Sequence, residues 1–278
     1  MADVIERPLH RMTPRIKIFT RSFDLRLYRL SKGLYEGLEW EGMKIPCVRL
    51  TDQSADGYFF TMLRDTECDI AINIDEDAFI TNPQPVIDLI KTVIDGGYAN
   101  AGASDGDSAT TGRNKIVTNP FFNIFNLDLI RSKFNKSLMI RELNDAEPYY
   151  PFFRWMASEF KTLYLPCVRH KDGITTILLD EKGREICLHT WFSRFYSMPS
   201  WIVRKIEPTQ GMQKARIDAI IREAYEKAEC AIPEFGLSDK AAFAANKVVR
   251  WMIKIPQRVS RWPYKIKRKI LRSKSQNR

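Results

Sequence analysis

Short apolar runs typical of β-strands alternate with amphipathic helical segments through the first half of the chain. Residues 15–23, 44–50 and 68–74 are strand candidates, and the segments 57–65 and 83–96 carry apolar residues at helical spacing. Alternation of this kind predicts βαβ units, in which the strands form a mainly parallel sheet and helices cover its faces. The predicted fold class is therefore α/β.

The second half of the chain has a different pattern. The runs 174–179 and 184–189 flank the polar segment 180–183, which predicts a β-hairpin and therefore a small antiparallel region beside the main sheet. Residues 212–230 carry apolar residues at helical spacing and form a predicted long helix. A linker is predicted at 233–239, where Pro and Gly occur close together.

Polar residues lie where three of the predicted parallel strands end. Thr20 and Arg21 lie near the end of the first strand, Asp52 follows the second, and the acidic run 75–77 follows the third. The carboxyl ends of parallel strands meet at one edge of a sheet, and ligands bind at that edge. We therefore predict one ligand-binding site that contains these residues.

The acidic run Asp75-Glu76-Asp77 is the most specific of these features. Two carboxylates one residue apart can share a hard divalent cation, and Mg²⁺ or Mn²⁺ typically binds one or two carboxylates together with substrate phosphates. The alternative is an acidic turn that faces water. The apolar run 70–74 favours the metal, because it places the acids at the edge of a buried sheet, where they repel each other unless a cation joins them.

The segment 72–80, with the sequence Ile-Asn-Ile-Asp-Glu-Asp-Ala-Phe-Ile, resembles the DxD segment of nucleotide-sugar-dependent glycosyltransferases with the GT-A fold. The resemblance covers residues 15–195 and implies a Rossmann-like, mainly parallel sheet with flanking helices. It also implies that Asp75 and Asp77 bind Mn²⁺ or Mg²⁺, and that this ion holds the diphosphate of the donor. It does not indicate a particular family within the superfamily.

The resemblance implies roles for further residues. Asp52 would contact the base or ribose of the nucleotide sugar. Thr20, Arg21 and Asp75 are further candidates for binding this donor. Asn123, in the asparagine-bearing segment 122–131, would line the donor sugar, and His189 would be a third metal ligand. The alternative for His189 is a packed, hydrogen-bonded histidine on a hairpin strand.

Two acids, Asp145 and Glu147, are candidates for a general base. An inverting enzyme needs such a base within reach of the acceptor hydroxyl. The two acids lie 68 and 70 residues beyond Asp77, about where inverting relatives place theirs, and Asp145 is narrowly preferred. The alternative is that they cap a helix at 149–160. A retaining enzyme needs no such base, so the stereochemistry stays open.

The positive charge of the chain is concentrated at its C-terminus. The formal net charge is +10, but residues 246–278 contain 12 Lys and Arg and no acid, whereas residues 1–245 contain 32 basic and 34 acidic residues. Basic residues interleaved with Trp, Tyr and Ile suit the surface of an anionic membrane. A solvated tail is the alternative, and nucleic acid is not an expected partner. We predict a catalytic domain, 1–239, and a basic amphipathic tail, 240–278.

The remaining composition bears on where the protein resides. The five cysteines are widely spaced, without a CxxC pair, which favours a reducing compartment. The apolar stretches fall short of the roughly 18 residues that a membrane span needs, and residues 1–15 do not have the pattern of a secretory signal. We expect a cytoplasmic protein that is peripheral on the inner face of the cell membrane.

Together these patterns favour a metal-dependent glycosyltransferase that moves a sugar from a nucleotide-diphosphate donor to a glycan or lipid-linked acceptor, in cell-surface polysaccharide synthesis. Three alternatives stay open. A haloacid-dehalogenase-type phosphohydrolase also places DxD after an apolar strand, but Phe79 stands where that family has Thr or Val. A nucleotidyltransferase needs an early Gly-rich phosphate loop, which this sequence lacks. A non-enzymatic peripheral membrane adaptor would use the acidic run only for structure.

Overall fold

The structure of the chain is a computed structural model. Two predicted site residues, Asp52 and Asp145, lie outside the residues that the structure describes, as does the basic tail beyond residue 249. The described residues are 13–51, 53, 57–105, 115–138, 147–196 and 213–249.

A six-stranded sheet forms the centre of the fold. Its order is β4-β1-β5-β8-β7-β9. The pairs β1–β4, β1–β5 and β7–β9 are parallel, whereas β8 is antiparallel to both of its neighbours, so β8 alone runs against the other strands of this sheet. The predicted α/β class with a mainly parallel sheet is confirmed. The strands are β1 Ile16–Arg21, β4 Cys47–Leu50, β5 Ile70–Ile74, β7 Asn100–Ser104, β8 Thr118–Asn126 and β9 Thr162–Leu165.

A second, antiparallel sheet has the order β10-β11-β12-β6. Its strands are β6 Ala78–Ile80, β10 Cys167–Arg169, β11 Thr176–Leu179 and β12 Glu185–His189, and β11 with β12 is the predicted hairpin. The register of β12 on β6 places His189 opposite Ala78. This pairing brings the end of the hairpin to the strand that follows the acidic run. A short two-stranded sheet consists of β2 Glu39–Trp40 and β3 Met43–Lys44.

Several helices begin after a residue whose side chain accepts hydrogen bonds from the free backbone amides. The Asp24 carboxylate accepts hydrogen bonds from the amides of Arg26 and Leu27, and so caps α1. Asn82 caps α3, whose first residue is Pro83. The helices are α1 Leu25–Lys32, α2 Gly57–Arg64, α3 Pro83–Asp95, α4 Leu127–Lys133, α5 Tyr150–Glu159, α6 Gln213–Lys227 and α7 at 237–249.

Both faces of the main sheet are covered. Side chains alternate between the two faces of a strand, so Ile18 and Ile72 join an apolar cluster with α1, α3 and α6, while Phe19 and Ala71 join another with α2, α4 and α5. All residues of β5 are buried. The acidic run therefore follows a fully buried strand, as the sequence pattern predicted.

Helix α7 begins inside the predicted linker and contacts α1. Asp239 forms an ion pair with Arg29, and the Asn246 side-chain oxygen accepts a hydrogen bond of 3.1 Å from the Leu25 amide. The division into residues 1–239 and 240–278 stays a prediction. Among the described residues, none of the helices combines the length and apolar character needed to cross a membrane.

Candidate active site

The acidic run forms the turn between β5 and β6. The Asp75 amide donates to the Phe121 carbonyl at 2.9 Å, and the Asp75 carbonyl accepts from the Ala78 amide at 3.0 Å. The side chains of Asp75 and Asp77 retain only 14% and 7% of their accessible surface. The acids are therefore mostly buried, which does not fit a turn that simply faces water.

Glu76, between the two aspartates, is bound within the protein. Its Oε2 accepts hydrogen bonds from the Ser22 hydroxyl at 3.0 Å, the Phe23 amide at 2.8 Å and the Asp24 amide at 2.6 Å. Together, the side chains of Glu76, Asp24 and Asn246 accept hydrogen bonds from the backbone amides of residues 23–27, at the start of α1. The N-terminus of α1 is consequently not available to bind a phosphate, and Glu76 holds the β1–α1 loop to the acidic turn.

His189 lies beside Asp77. The distance from His189 Nε2 to Asp77 Oδ1 is 3.5 Å, and the His189 ring is stacked on Phe121 with 4.3 Å between the centroids. The Thr190 amide donates to the Asp77 carbonyl at 2.9 Å. Burial by itself would raise the pKa of Asp77, but the His189 imidazole and hydrogen bonds from Ser193 outweigh it and lower that pKa.

Asp75 lies beside the guanidinium of Arg21. The Arg21 Nη2 atom lies 3.8 Å from Asp75 Oδ2, and the guanidinium lies 5.3 Å from the centroid of the Tyr58 ring. Burial raises the pKa of Asp75 to about 6; attraction to Arg21 opposes the rise, and repulsion from Asp77 adds to it. The pKa of Asp75 is thus raised whereas the pKa of Asp77 is lowered, because His189 and Ser193 hydrogen-bond to Asp77.

The donor atoms at this turn fit a divalent cation in their chemistry. Asp75 Oδ1 and His189 Nδ1 are buried and have no hydrogen-bond partner among the described residues, which is uncommon for buried polar atoms. Carboxylate oxygen and imidazole nitrogen are both ligands of Mn²⁺. Within the described ranges, however, no three His, Cys, Asp or Glu side chains are already grouped as a metal site. The residues fit an ion that the two carboxylates share with a substrate phosphate.

Two predicted ligand-binding residues are engaged inside the fold. Thr20 is buried, and its hydroxyl lies 2.6 Å from the Tyr35 hydroxyl. Asn123 is fully buried in β8; its side-chain oxygen accepts from Thr118 at 2.8 Å, and its side-chain nitrogen donates to the Asn119 carbonyl at 2.8 Å. These polar atoms are bound within the protein, and the roles of Thr20 and Asn123 in donor binding stay predictions.

The described candidate for the general base, Glu147, is half-buried ahead of α5. The N-cap position of α5 is Tyr149, whose own side chain makes no capping hydrogen bond. The interpretation of Asp145 and Glu147 as a helix cap stays an alternative. The role of Glu147 as a base stays a prediction, as do those of Asp145 and Asp52.

Asp105, which the sequence reasoning missed, follows β7 at the same edge of the sheet as Asp75. It is buried, and its carboxylate accepts hydrogen bonds from Asn119, at 2.6 Å, and from the Tyr150 hydroxyl. The strand-end rule that selected Arg21 and Asp75 is the signal that could have found Asp105, because Asp105 directly follows β7. Its hydrogen bonds connect β7, β8 and α5.

Comparisons with known proteins give only distant likenesses. No protein-family model matches the chain, and no curated protein matches it in sequence. A mannosyltransferase from Pyrobaculum calidifontis, solved with GDP-Man and Mn²⁺, is 13% identical; the match covers 95% of this chain and 85% of that one, with a TM-score of 0.40. A cytidylyltransferase from Leptospira borgpetersenii is 10% identical, with 80% and 100% covered and a TM-score of 0.39. Likenesses at this level do not identify a family or a reaction.

Proposed function

We propose that this protein is a metal-dependent glycosyltransferase that uses a nucleotide-sugar donor. The observation that carries the proposal is the turn after β5, where two mostly buried aspartates lie beside Arg21 and His189. A buried acidic pair at the carboxyl edge of a parallel sheet occurs where such sheets bind ligands. The resemblance of residues 72–80 to the DxD segment of GT-A glycosyltransferases gives the reaction class.

The chain supplies the binding groups of the proposed reaction. Asp75 and Asp77 would hold the divalent cation, with His189 as a third donor beside Asp77. Arg21 lies beside Asp75 and would place a positive charge next to the donor diphosphate. When bound, the metal would act as a Lewis acid that stabilises the negative charge of the departing diphosphate.

The acceptor side of the proposal involves the two candidate bases and the basic tail. A glycan or a lipid-linked acceptor would bring a hydroxyl to the site, and Asp145 or Glu147 would accept its proton if the reaction inverts the anomeric centre. The basic tail, residues 240–278, would hold the protein at an anionic membrane from the cytoplasmic side. Removing residues 250–278 tests this last part, since the truncated protein should then sediment less with anionic vesicles.

A ligand panel tests the proposed reaction class. The protein is heated with Mn²⁺ and, in turn, each common nucleoside diphosphate, and its melting temperature is compared with that of the free protein. A ligand at about 100 times its Kd should stabilise the fold by about 2.7 kcal/mol. Asp77→Asn should abolish the metal-dependent part of the shift, whereas Asp95→Asn, an exposed aspartate at the end of α3, should not change it.

The panel also separates the proposal from its alternatives. A nucleoside diphosphate that raises the melting temperature is next supplied as its sugar conjugates. Release of the diphosphate in the presence of Mn²⁺ then measures cleavage of the donor. A protein that shows no shift with any nucleotide, with or without metal, would be better described as a membrane adaptor. Release of inorganic phosphate from phosphomonoesters would favour the phosphohydrolase.

A further inference from the structure

The chain after β12 turns in a conformation that side chains disfavour. Trp191 and Phe192 have φ angles of +58° and +60°. Two consecutive non-glycine residues in the left-handed region are rare, because the Cβ atom of each approaches the backbone closely. Such backbone persists only where surrounding contacts hold it, and it concentrates at functional sites.

This left-handed turn, residues 191–192, joins two residues that face Asp77. His189 precedes it, and its ring packs against both Phe121 and Trp191, with 4.3 Å between centroids in each pair. Ser193 follows it, and its hydroxyl and amide both donate hydrogen bonds to Asp77. A relaxed backbone at 191–192 would move Ser193 and the Trp191 ring away from this arrangement.

Arg216, near the start of α6, donates hydrogen bonds to backbone carbonyls at the left-handed turn. Its Nη2 atom donates to the carbonyls of Thr190, at 2.5 Å, and Trp191, at 3.4 Å. Its Nη1 atom donates to Asp172 at 3.1 Å and to the Thr175 hydroxyl at 2.8 Å. The side chain is only 13% exposed. One guanidinium thus connects α6, the β10–β11 loop and the left-handed turn.

We propose that Arg216 is a positioning residue for the metal site: it fixes the left-handed turn so that His189 and Ser193 stay directed at Asp77. The inference rests on the proposed function, since it concerns the same site. The planar guanidinium is required because it donates from separate nitrogens in a fixed geometry, which the single ammonium of Lys cannot reproduce. Arg216 itself would not contact the metal.

The test compares Arg216→Lys with Arg222→Lys, a matched change at an exposed position of the same helix. Mn²⁺ affinity is measured by electron paramagnetic resonance, and amide hydrogen exchange is followed at residues 190–193. Arg216→Lys should weaken Mn²⁺ binding by about 10- to 100-fold, the usual effect of losing an outer-shell partner of a metal site. It should also accelerate exchange at 190–193, while Arg222→Lys changes neither quantity.

A second substitution distinguishes positioning from general stability. Asn adopts the left-handed region more readily than Phe, so Phe192→Asn in the Arg216→Lys background should restore part of the Mn²⁺ affinity. Unchanged affinity in Arg216→Lys, or weakened affinity with unchanged exchange and no rescue, would overturn the inference. If the wild-type chain binds no Mn²⁺, the proposed function fails, and exchange at 190–193 alone then decides whether Arg216 fixes the turn.

Discussion

Glu76 offers the sharpest test of how the acidic turn is built, because it lies between the proposed metal ligands yet has a structural role in this account. Its Oε2 atom accepts three hydrogen bonds, from Ser22, Phe23 and Asp24, and the residue is 4% exposed. A hydrogen bond to a charged group contributes about 1.5–3 kcal/mol, and each buried donor left unpaired costs about 1–3 kcal/mol. These contributions are not additive within one network.

Glu76→Ala should therefore lower the free energy of unfolding by about 3–5 kcal/mol, as removal of one partner from a buried charged network does. Glu76→Gln keeps an acceptor oxygen of the same reach but loses the charge, so it should cost about 1–2 kcal/mol, since neutral hydrogen bonds are roughly half as strong. Urea unfolding followed by tryptophan fluorescence measures both values.

The matched control is Glu67→Ala, because the Glu67 side chain is 81% exposed and forms only a loose ion pair with Lys17. This change should cost less than about 0.5 kcal/mol. Mn²⁺ affinity in Glu76→Gln should stay within about threefold of wild type, a change of at most ~0.7 kcal/mol. The reasoning is refuted if Glu76→Ala leaves stability unchanged while abolishing Mn²⁺ binding, for Glu76 would then be a ligand.

Three further predictions concern the scaffold. Gly102→Ala should destabilise the fold by about 1–3 kcal/mol in urea unfolding, because the added Cβ would lie 2.9 Å from the Phe122 carbonyl oxygen; an unchanged midpoint would contradict the sheet packing. Asp24→Ala should cost about 1 kcal/mol through loss of the α1 cap, and the helix is differently capped if no loss is measured. Burial would raise the pKa of Asp172, but hydrogen bonds from Thr175 and neighbouring amides lower it. Its stabilising effect is thus present above the unfolded pKa of about 3.9 and is lost as pH falls through the lower folded pKa. The stability difference between wild type and Asp172→Asn should be constant above about pH 5 and shrink in acid; a difference that grows in acid would contradict this sign.

Local pattern was sufficient for most elements of the fold. The predicted strands at 15–23, 44–50 and 68–74 contain β1, β4 and β5, and the hairpin occurs where its turn segment 180–183 indicated. These elements have strong periodicity, and their apolar faces are buried within the sheet or against the helices. The expectation that ligands bind at the carboxyl ends of parallel strands also identified Arg21 and Asp75. The Arg21 Nη2 and Asp75 Oδ2 atoms lie 3.8 Å apart.

Pairing between distant segments could not be predicted in the same way. Strand β8 inserts between β5 and β7 and reverses direction, although β7 comes first in the chain. The pairing of β6 with β12 brings His189 to Asp77 across 112 residues, and the sequence could only suggest this through a resemblance. The Glu76 side chain points into the protein because the loop after β1 supplies its three hydrogen-bond donors. The spacing of the acids in the sequence does not reveal this contact.

The central claim is that Asp75 and Asp77 together bind a divalent cation, and a Mn²⁺ titration followed by electron paramagnetic resonance tests it most directly. Wild-type protein with a nucleoside diphosphate should bind about one Mn²⁺ per chain, shared between carboxylates and phosphate. Asp75→Asn and Asp77→Asn should each weaken that binding at least tenfold, about 1.4 kcal/mol, with the fold retained. Equal Mn²⁺ binding by the wild type and the double variant would contradict the claim.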